Sequence, residues 1–154
     1  MASNMQVAEM EALVRYRFSE LDRGNFQVLD EIFQPGYQLN LPGLPVPLSL
    51  EATKRFYGLL YEGFPDLKHN IIEQVTGGDQ VVTRWVASGT HHGPFLGVAP
   101  TGRPVQFGGI NIYTIENRKF ALSHVNWDLL TLFQQIGGLT LNADLRFGLQ
   151  PSTA

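Results

Sequence analysis

The order of hydrophobic periodicities constrains this chain most. Helical spacing comes first, and long strand-like runs joined by tight turns follow. Between about Met5 and Leu21, the residues Met10, Leu13, Val14, Phe18 and Leu21 recur at helical spacing, with Gly24 as a stop. Phe26, Leu29, Ile32 and Phe33 share one side of a second, short helix over 26–33, ended by Pro35-Gly36. Ser49 is a candidate N-cap, with Glu51 in the first turn, for a third helix reaching about Glu62. After a possible short strand at 37–41, the prolines at 42, 45 and 47 remove ladder donors and leave an apolar loop. From Leu67 the period changes. Runs at 67–76 and 80–90 flank Gly77-Gly78-Asp79, and runs at 105–116 and 119–127 flank Asn117-Arg118. These are two hairpin signals. Helices followed by long antiparallel strands predict an α+β fold, with three N-terminal helices covering one face of a curved antiparallel sheet.

The 154 residues suit a single domain over 1–154, with an ordered core at about 5–140 and a loose C-terminal tail. Charged residues make up 16% of the chain, against the usual share of about 25%. A lightly charged chain with ten Phe suits a large apolar interior, an apolar cavity or a buried subunit face. Net charge is −3 and no Lys/Arg cluster occurs, so nucleic acid is not an expected partner. Zero cysteines exclude disulfides, thiolate nucleophiles and the usual structural zinc sites. No apolar run approaches the ~20 residues of a membrane span, and the first residues lack the pattern of a signal peptide. A cytoplasmic protein is the expectation.

The residues richest in chemistry close the last strand, where Asn126-Trp127-Asp128 runs into an apolar helix-like segment at 129–137. A carboxylate at the rim of an apolar cavity has its pKa raised by desolvation and can exchange protons near neutrality. Asp128 is therefore the candidate acid/base; its alternative is a helix N-cap. If Asp128 points inward, alternation brings Asn126 and His124 with it. A tight turn at Asn117-Arg118 then sets Asn111 opposite His124, and these groups could hold an enolate oxygen. The reverse parity sends this polar row to solvent and Trp127 and Val125 to the core. His92 and Arg84 share one strand parity as candidates for ligand contact, while a surface ion pair is the alternative for Arg84. Phe18, Phe33, Phe56, Tyr57, Phe95 and Trp127 are candidate cavity walls, or plain core. His91-His92 lacks nearby Asp/Glu ligands, and adjacent strand residues diverge, so no metal is expected. The glycine-rich loop at 93–102 matches neither a Walker nor a dinucleotide motif.

In order along the chain come Phe64-Pro65-Asp66-Leu67, Gly78-Asp79-Gln80-Val81-Val82-Thr83-Arg84-Trp85, Gly89-Thr90-His91-His92-Gly93-Pro94-Phe95-Leu96-Gly97, Pro100-Thr101-Gly102-Arg103 and Gly109-Ile110-Asn111-Ile112-Tyr113. Trp127-Asp128, Leu130 and Gln134-Gln135-Ile136-Gly137 complete the set. With these pieces the chain resembles the SnoaL-like polyketide cyclases of the NTF2-like superfamily, over roughly 7–138. The resemblance implies a cone with an apolar pocket, a homodimer through the outer sheet face, and a cofactor-free intramolecular aldol cyclase or isomerase acting on a hydrophobic, polyketide-like carbonyl compound. It implies an aspartate acid/base at Asp128. It also implies a His and an amide on the neighbouring strand, where this chain has Phe107-Gly108-Gly109 and leaves only Gln106 and Asn111 as amides. An epoxide hydrolase or dehydratase in the same pocket, or a non-catalytic ligand-binding or dimerisation module, are the alternatives.

Overall fold

The computed structural model describes residues 5–140. Helix α1 (Val7–Asp22) opens with the Gln6 N–H donating to Glu9 at 3.0 Å, and α2 (Val28–Ile32) follows Gly24. Strand β1 (Phe33–Asn40) carries Pro35-Gly36 in its irregular stretch between Phe33 and Gln38, so the missing N–H breaks no regular ladder. Strand β2 (Leu48–Ser49) leads into α3 (Leu50–Gly63), where the Ser49 hydroxyl accepts from the Ala52 N–H at 3.3 Å. Four long strands follow: β3 (Lys68–Gly77), β4 (Gln80–Thr90), β5 (Pro104–Glu116) and β6 (Lys119–Trp127). Helix α4 (Leu129–Ile136) ends at Gly137 in the left-handed region.

The six strands form one curved, open sheet in the order β2-β1-β6-β5-β4-β3. Both expected hairpins are present, but the sheet is mixed, because β1 runs parallel to β6. The chain leaves the β2 edge through α3 and re-enters at β3, so the edges are joined by a helical crossing and not by a hairpin. Helix α1 packs on β3, α3 on β1, and α4 on β5. The α+β architecture of three N-terminal helices over a sheet is thus observed, with a fourth helix at the far end. No described helix is long and apolar enough to cross a membrane.

Two local features decide what the concave face presents. The first is the β5–β6 hairpin. Asn117 and Arg118 both adopt positive φ, 51° and 64°, as a tight two-residue turn between right-twisted strands requires. Pairing begins as Glu116 with Lys119 and Ile115 with Phe120, then shifts to Thr114 with Leu122. The extra residue, Ala121, is a bulge, and beyond it every β6 side chain faces the opposite way from an unbulged continuation. Asn111 consequently pairs with Val125, and His124 with Ile112.

The second is Gly109, whose absent side chain makes room for the indole of Trp85. A Cβ there would lie 2.3 Å from Trp85 Cζ2. The buried indole lies across β5, and its Nε1 donates to Asn111 Oδ1 at 2.8 Å. Asn111 Nδ2 in turn donates to the Tyr113 hydroxyl at 2.5 Å. Gly109→Ala forces this ring to move and should destabilise the domain by about 1–3 kcal/mol in urea unfolding. Gly36→Ala, which meets nothing within 4 Å, should change stability by no more than about 0.5 kcal/mol. Equal effects would contradict this account of Gly109.

Candidate functional site

Helices α1 and α3 do not fill the concave face. A slot remains, walled by Phe18, Leu21, Leu39, Leu60, Trp85 and Phe107, with Arg17, Tyr57, Tyr61, His69 and Asn111 among them. It holds about 480 Å³ of empty space including its mouth, of which about 40 Å³ admits the centre of a water molecule. That is room for a few waters, or for a flat ligand if the walls yield. Leu41, Phe56, His69, Val125 and Trp127 are the half-buried residues of the lining. Phe56 and Trp127 meet edge to face at 5.9 Å.

At one side of the slot stands an imidazole held by a carboxylate. His69 on β3 lies between Phe18 and Trp85, with ring centroids 4.9 and 5.0 Å away. Its Nδ1 is 2.7 Å from Asp22 Oδ1, and its backbone N–H donates to Asp22 Oδ2 at 2.7 Å. The Tyr61 hydroxyl donates to Asp22 Oδ1 at 2.7 Å. Burial works to raise the Asp22 pKa, but the bonds and charge of His69 and the bond from Tyr61 outweigh it and hold the carboxyl below its usual range. Burial, then the neighbouring Asp22, push the Tyr61 phenol up, so it stays a donor. With Nδ1 turned to Asp22, the Nε2 of His69 is left for the slot.

Deeper in, Arg17 is 2% exposed. Its Nη2 donates to the Tyr57 hydroxyl, and its guanidinium lies 4.8 Å from the Phe18 ring centroid and 5.2 Å from those of Tyr57 and Tyr113. Burial opposes its charge, but the surrounding phenols of Tyr113, Tyr57, Tyr37 and Tyr61 push its pKa up, and it remains a cation. Burial also pushes the Tyr113 phenol up.

The candidates from sequence divide sharply. Asn111, Phe18, Phe56, Tyr57 and Trp127 line the slot. Asp128, Asn126 and His124 are exposed and absent from its lining, so the inward parity expected for them is corrected: the bulge at Ala121 turns Trp127 and Val125 inward instead. Asp128 caps α4, its Oδ1 accepting from the Thr131 N–H at 2.9 Å. Arg84 is on the outer face, its Nε 3.1 Å from Glu73 Oε1, and His92 is exposed; neither reaches the slot. Phe33 and Phe95 are core residues outside its lining. His91 is the buried member of its pair, stacked on Phe64 with Nδ1 3.0 Å from the Thr101 hydroxyl.

The polyketide cyclase family model named SnoaL-like matches residues 12–136. The chain belongs to the SnoaL-like polyketide cyclase family. TsrD of Streptomyces laurentii superposes with a TM-score of 0.78 at 28% identity, covering 88% of this chain and 100% of its own. IdmH of Streptomyces antibioticus, described as a polyketide cyclase, does so with 0.76 at 26%, covering 83% and 98%. A Jannaschia sp. CCS1 protein described as a SnoaL-like polyketide cyclase gives 0.80 at 24%, covering 90% and 99%, and shows the shared fold. No curated protein matches significantly.

Within this SnoaL-like domain, the sequence pattern did not single out Arg17, His69 and Trp85 as slot residues, nor Asp22 as the partner of His69 behind them. Arg17 carried a usable signal: it lies three residues after Val14 and four before Leu21, a charge inside the apolar stripe of α1. His69 shares strand parity with buried Leu67 and with Ile71, which packs on the core. Asp22 had no such signal, since only the tertiary fold brings α1 against β3.

The sign of the Asp22 effect on stability is fixed. Its folded pKa lies below its unfolded value, so its contribution is present above the unfolded carboxyl range, about pH 4, and vanishes as pH falls through the folded pKa. Asp22→Asn should therefore be less stable than wild type at pH 7, with the gap closing in chemical unfolding below about pH 4. A gap constant from pH 7 to pH 3 would contradict the assigned charge.

Proposed function

We propose that this domain is a cofactor-independent cyclase or isomerase that binds a flat, hydrophobic carbonyl compound in the slot and uses His69, positioned by Asp22, as its acid/base. The observation that carries the proposal is the Asp22–His69 pair, at 2.7 Å, with His69 on the wall of an otherwise mostly apolar slot. Family membership supports the reaction class. The exposure of Asp128 moves the proton-transfer role away from the end of β6.

In this reading His69 Nε2 takes a proton from a carbon next to a carbonyl, giving an enolate and an imidazolium. Asp22 stabilises the imidazolium and holds the ring in place. Asn111 Nδ2 has a second N–H beyond its bond to Tyr113, and this can serve the enolate oxygen. The enolate carbon then adds to a second carbonyl of the same molecule, forming one carbon–carbon bond. The imidazolium returns its proton to the resulting alkoxide. No electrons enter or leave, and the walls around His69 keep bulk water from the enolate.

Solvent deuterium incorporation next to the carbonyl of aryl ketone probes, followed by proton NMR, tests the chemistry. Wild type should exchange, and His69→Gln should lose at least about 100-fold in rate. Asp128→Asn should keep its rate, since Asn also caps helices well. Exchange lost in Asp128→Asn and kept in His69→Gln would overturn the assignment.

The outer sheet face presents Val75 and Ile110, 64% and 46% exposed, beside half-buried Val82 and Ile112. We further propose that this face forms a homodimer. Light scattering after gel filtration should give twice the chain mass, and Ile110→Asp should give the single mass without loss of helix signal. A monomeric wild type at micromolar concentration would refute it.

A further inference from the structure

Resting on the reading of the slot as a ligand site, we propose that Arg17 makes it a receptor for a monoanion: a flat apolar ligand carrying a delocalised oxyanion, either a carboxylate or an ionised 1,3-dicarbonyl.

Arg17 is a buried cation with no salt-bridge partner among the described residues. It is 2% exposed, and its Nε and Nη1 have no hydrogen-bond partner among the described residues. Its one hydrogen-bond acceptor among the described residues is the Tyr57 hydroxyl. None of the side chains lining the slot is acidic. Asp22, the carboxylate behind His69, is already taken by His69 and Tyr61. Isolated cations are seldom left in an apolar interior, because desolvation opposes them unless a counter-charge arrives. Aromatic faces offset part of that penalty and leave the N–H groups unused.

Ligand chemistry follows from the donor set. A neutral ketone could accept one hydrogen bond but would leave the positive charge uncompensated. A carboxylate or enolate accepts from the guanidinium and cancels its charge in a water-poor slot, where the attraction is strongest. Among the described residues Arg17 is the one Lys or Arg that lines the slot, which favours a single negative charge over a phosphate dianion. The Phe, Tyr and Trp rings of the lining favour a planar ring system as the carrier. A 1,3-dicarbonyl anion would also place an acidic carbon within the proton-transfer site, linking recognition to chemistry.

The chain's two tryptophans, Trp85 and Trp127, both line the slot, so intrinsic fluorescence reports its occupancy. Titrating wild type with 2-naphthoate, 2-acetylnaphthalene and 1-(2-naphthyl)butane-1,3-dione, with calorimetry as a check, separates charge from ring shape. At pH 7 naphthoate should bind at least about 10-fold more tightly than the neutral ketone. That preference should vanish in Arg17→Met and return in part in Arg17→Lys. Tighter binding of the diketone as pH rises through its own ionisation would assign the enolate arm; tight binding of naphthoate alone would assign the carboxylate arm. In wild type alone, naphthoate affinity should fall as pH drops through the ligand's carboxyl range while ketone affinity does not, a result independent of whether Arg17→Met folds. Equal affinity for naphthoate and ketone overturns the anion preference and leaves the pocket standing. Binding of none of the three overturns both.

Discussion

Ala121, the unpaired residue of the β5–β6 hairpin, decides which half of β6 meets the cavity. Because side chains alternate with period two, one inserted residue exchanges the faces of everything beyond it. Without it, the register begun at Glu116 and Lys119 would have set His124 opposite Asn111 and turned Asn126 inward. With it, Val125 and Trp127 line the slot and the polar row faces out. The polar groups that line the slot consequently come from other elements: Arg17 from α1, Tyr57 and Tyr61 from α3, His69 from β3 and Asn111 from β5.

The strand wall is built to be apolar even where the pleat directs a residue inward. Gly109 lies directly across from Trp127 on β6, and the indole of Trp85 occupies the volume that a side chain at 109 would need. The His and amide that the resemblance places on this strand thus have no space near Trp127. Asn111, two residues further along on the same face, is the amide present, and it is tied down at both ends by Trp85 and Tyr113. A side chain held at both ends loses little freedom on meeting a ligand, which suits positioning better than proton transfer.

Most of the fold was legible in the sequence because its signals are local. Helical stripes, the Ser49 cap and the two-residue turns at Gly78-Asp79 and Asn117-Arg118 each act within a few residues. The site was less legible, for identifiable reasons. The bulge at Ala121 has no glycine, proline or charge to announce it, yet it inverts three site assignments. The Asp22–His69 contact joins residues 47 apart, and strand periodicity says nothing about which helix end will meet β3. The parallel pairing of β1 with β6 is long-range in the same sense. Arg17 was visible as a charge in an apolar stripe, a pattern that marks either a long side chain reaching solvent or a buried functional group. Its burial decides between the two.

Helix α1 breaks two local rules at once. It ends in Asp22, although the partial negative charge of a helix C-terminus disfavours a carboxylate there. One turn earlier it buries Arg17 among phenol and phenyl rings with no carboxylate against it. Exchanging these charges would suit the isolated helix better, so its own stability does not explain them. The first conflict is resolved by contacts from outside the helix, since His69 and Tyr61 together give Asp22 three hydrogen bonds. The second is resolved by nothing within the described residues beyond the aromatic cage and the Tyr57 hydroxyl. Where local preference and observed structure disagree, and the fold compensates only one of the two, the uncompensated Arg17 is the group that the proposed anionic ligand would satisfy.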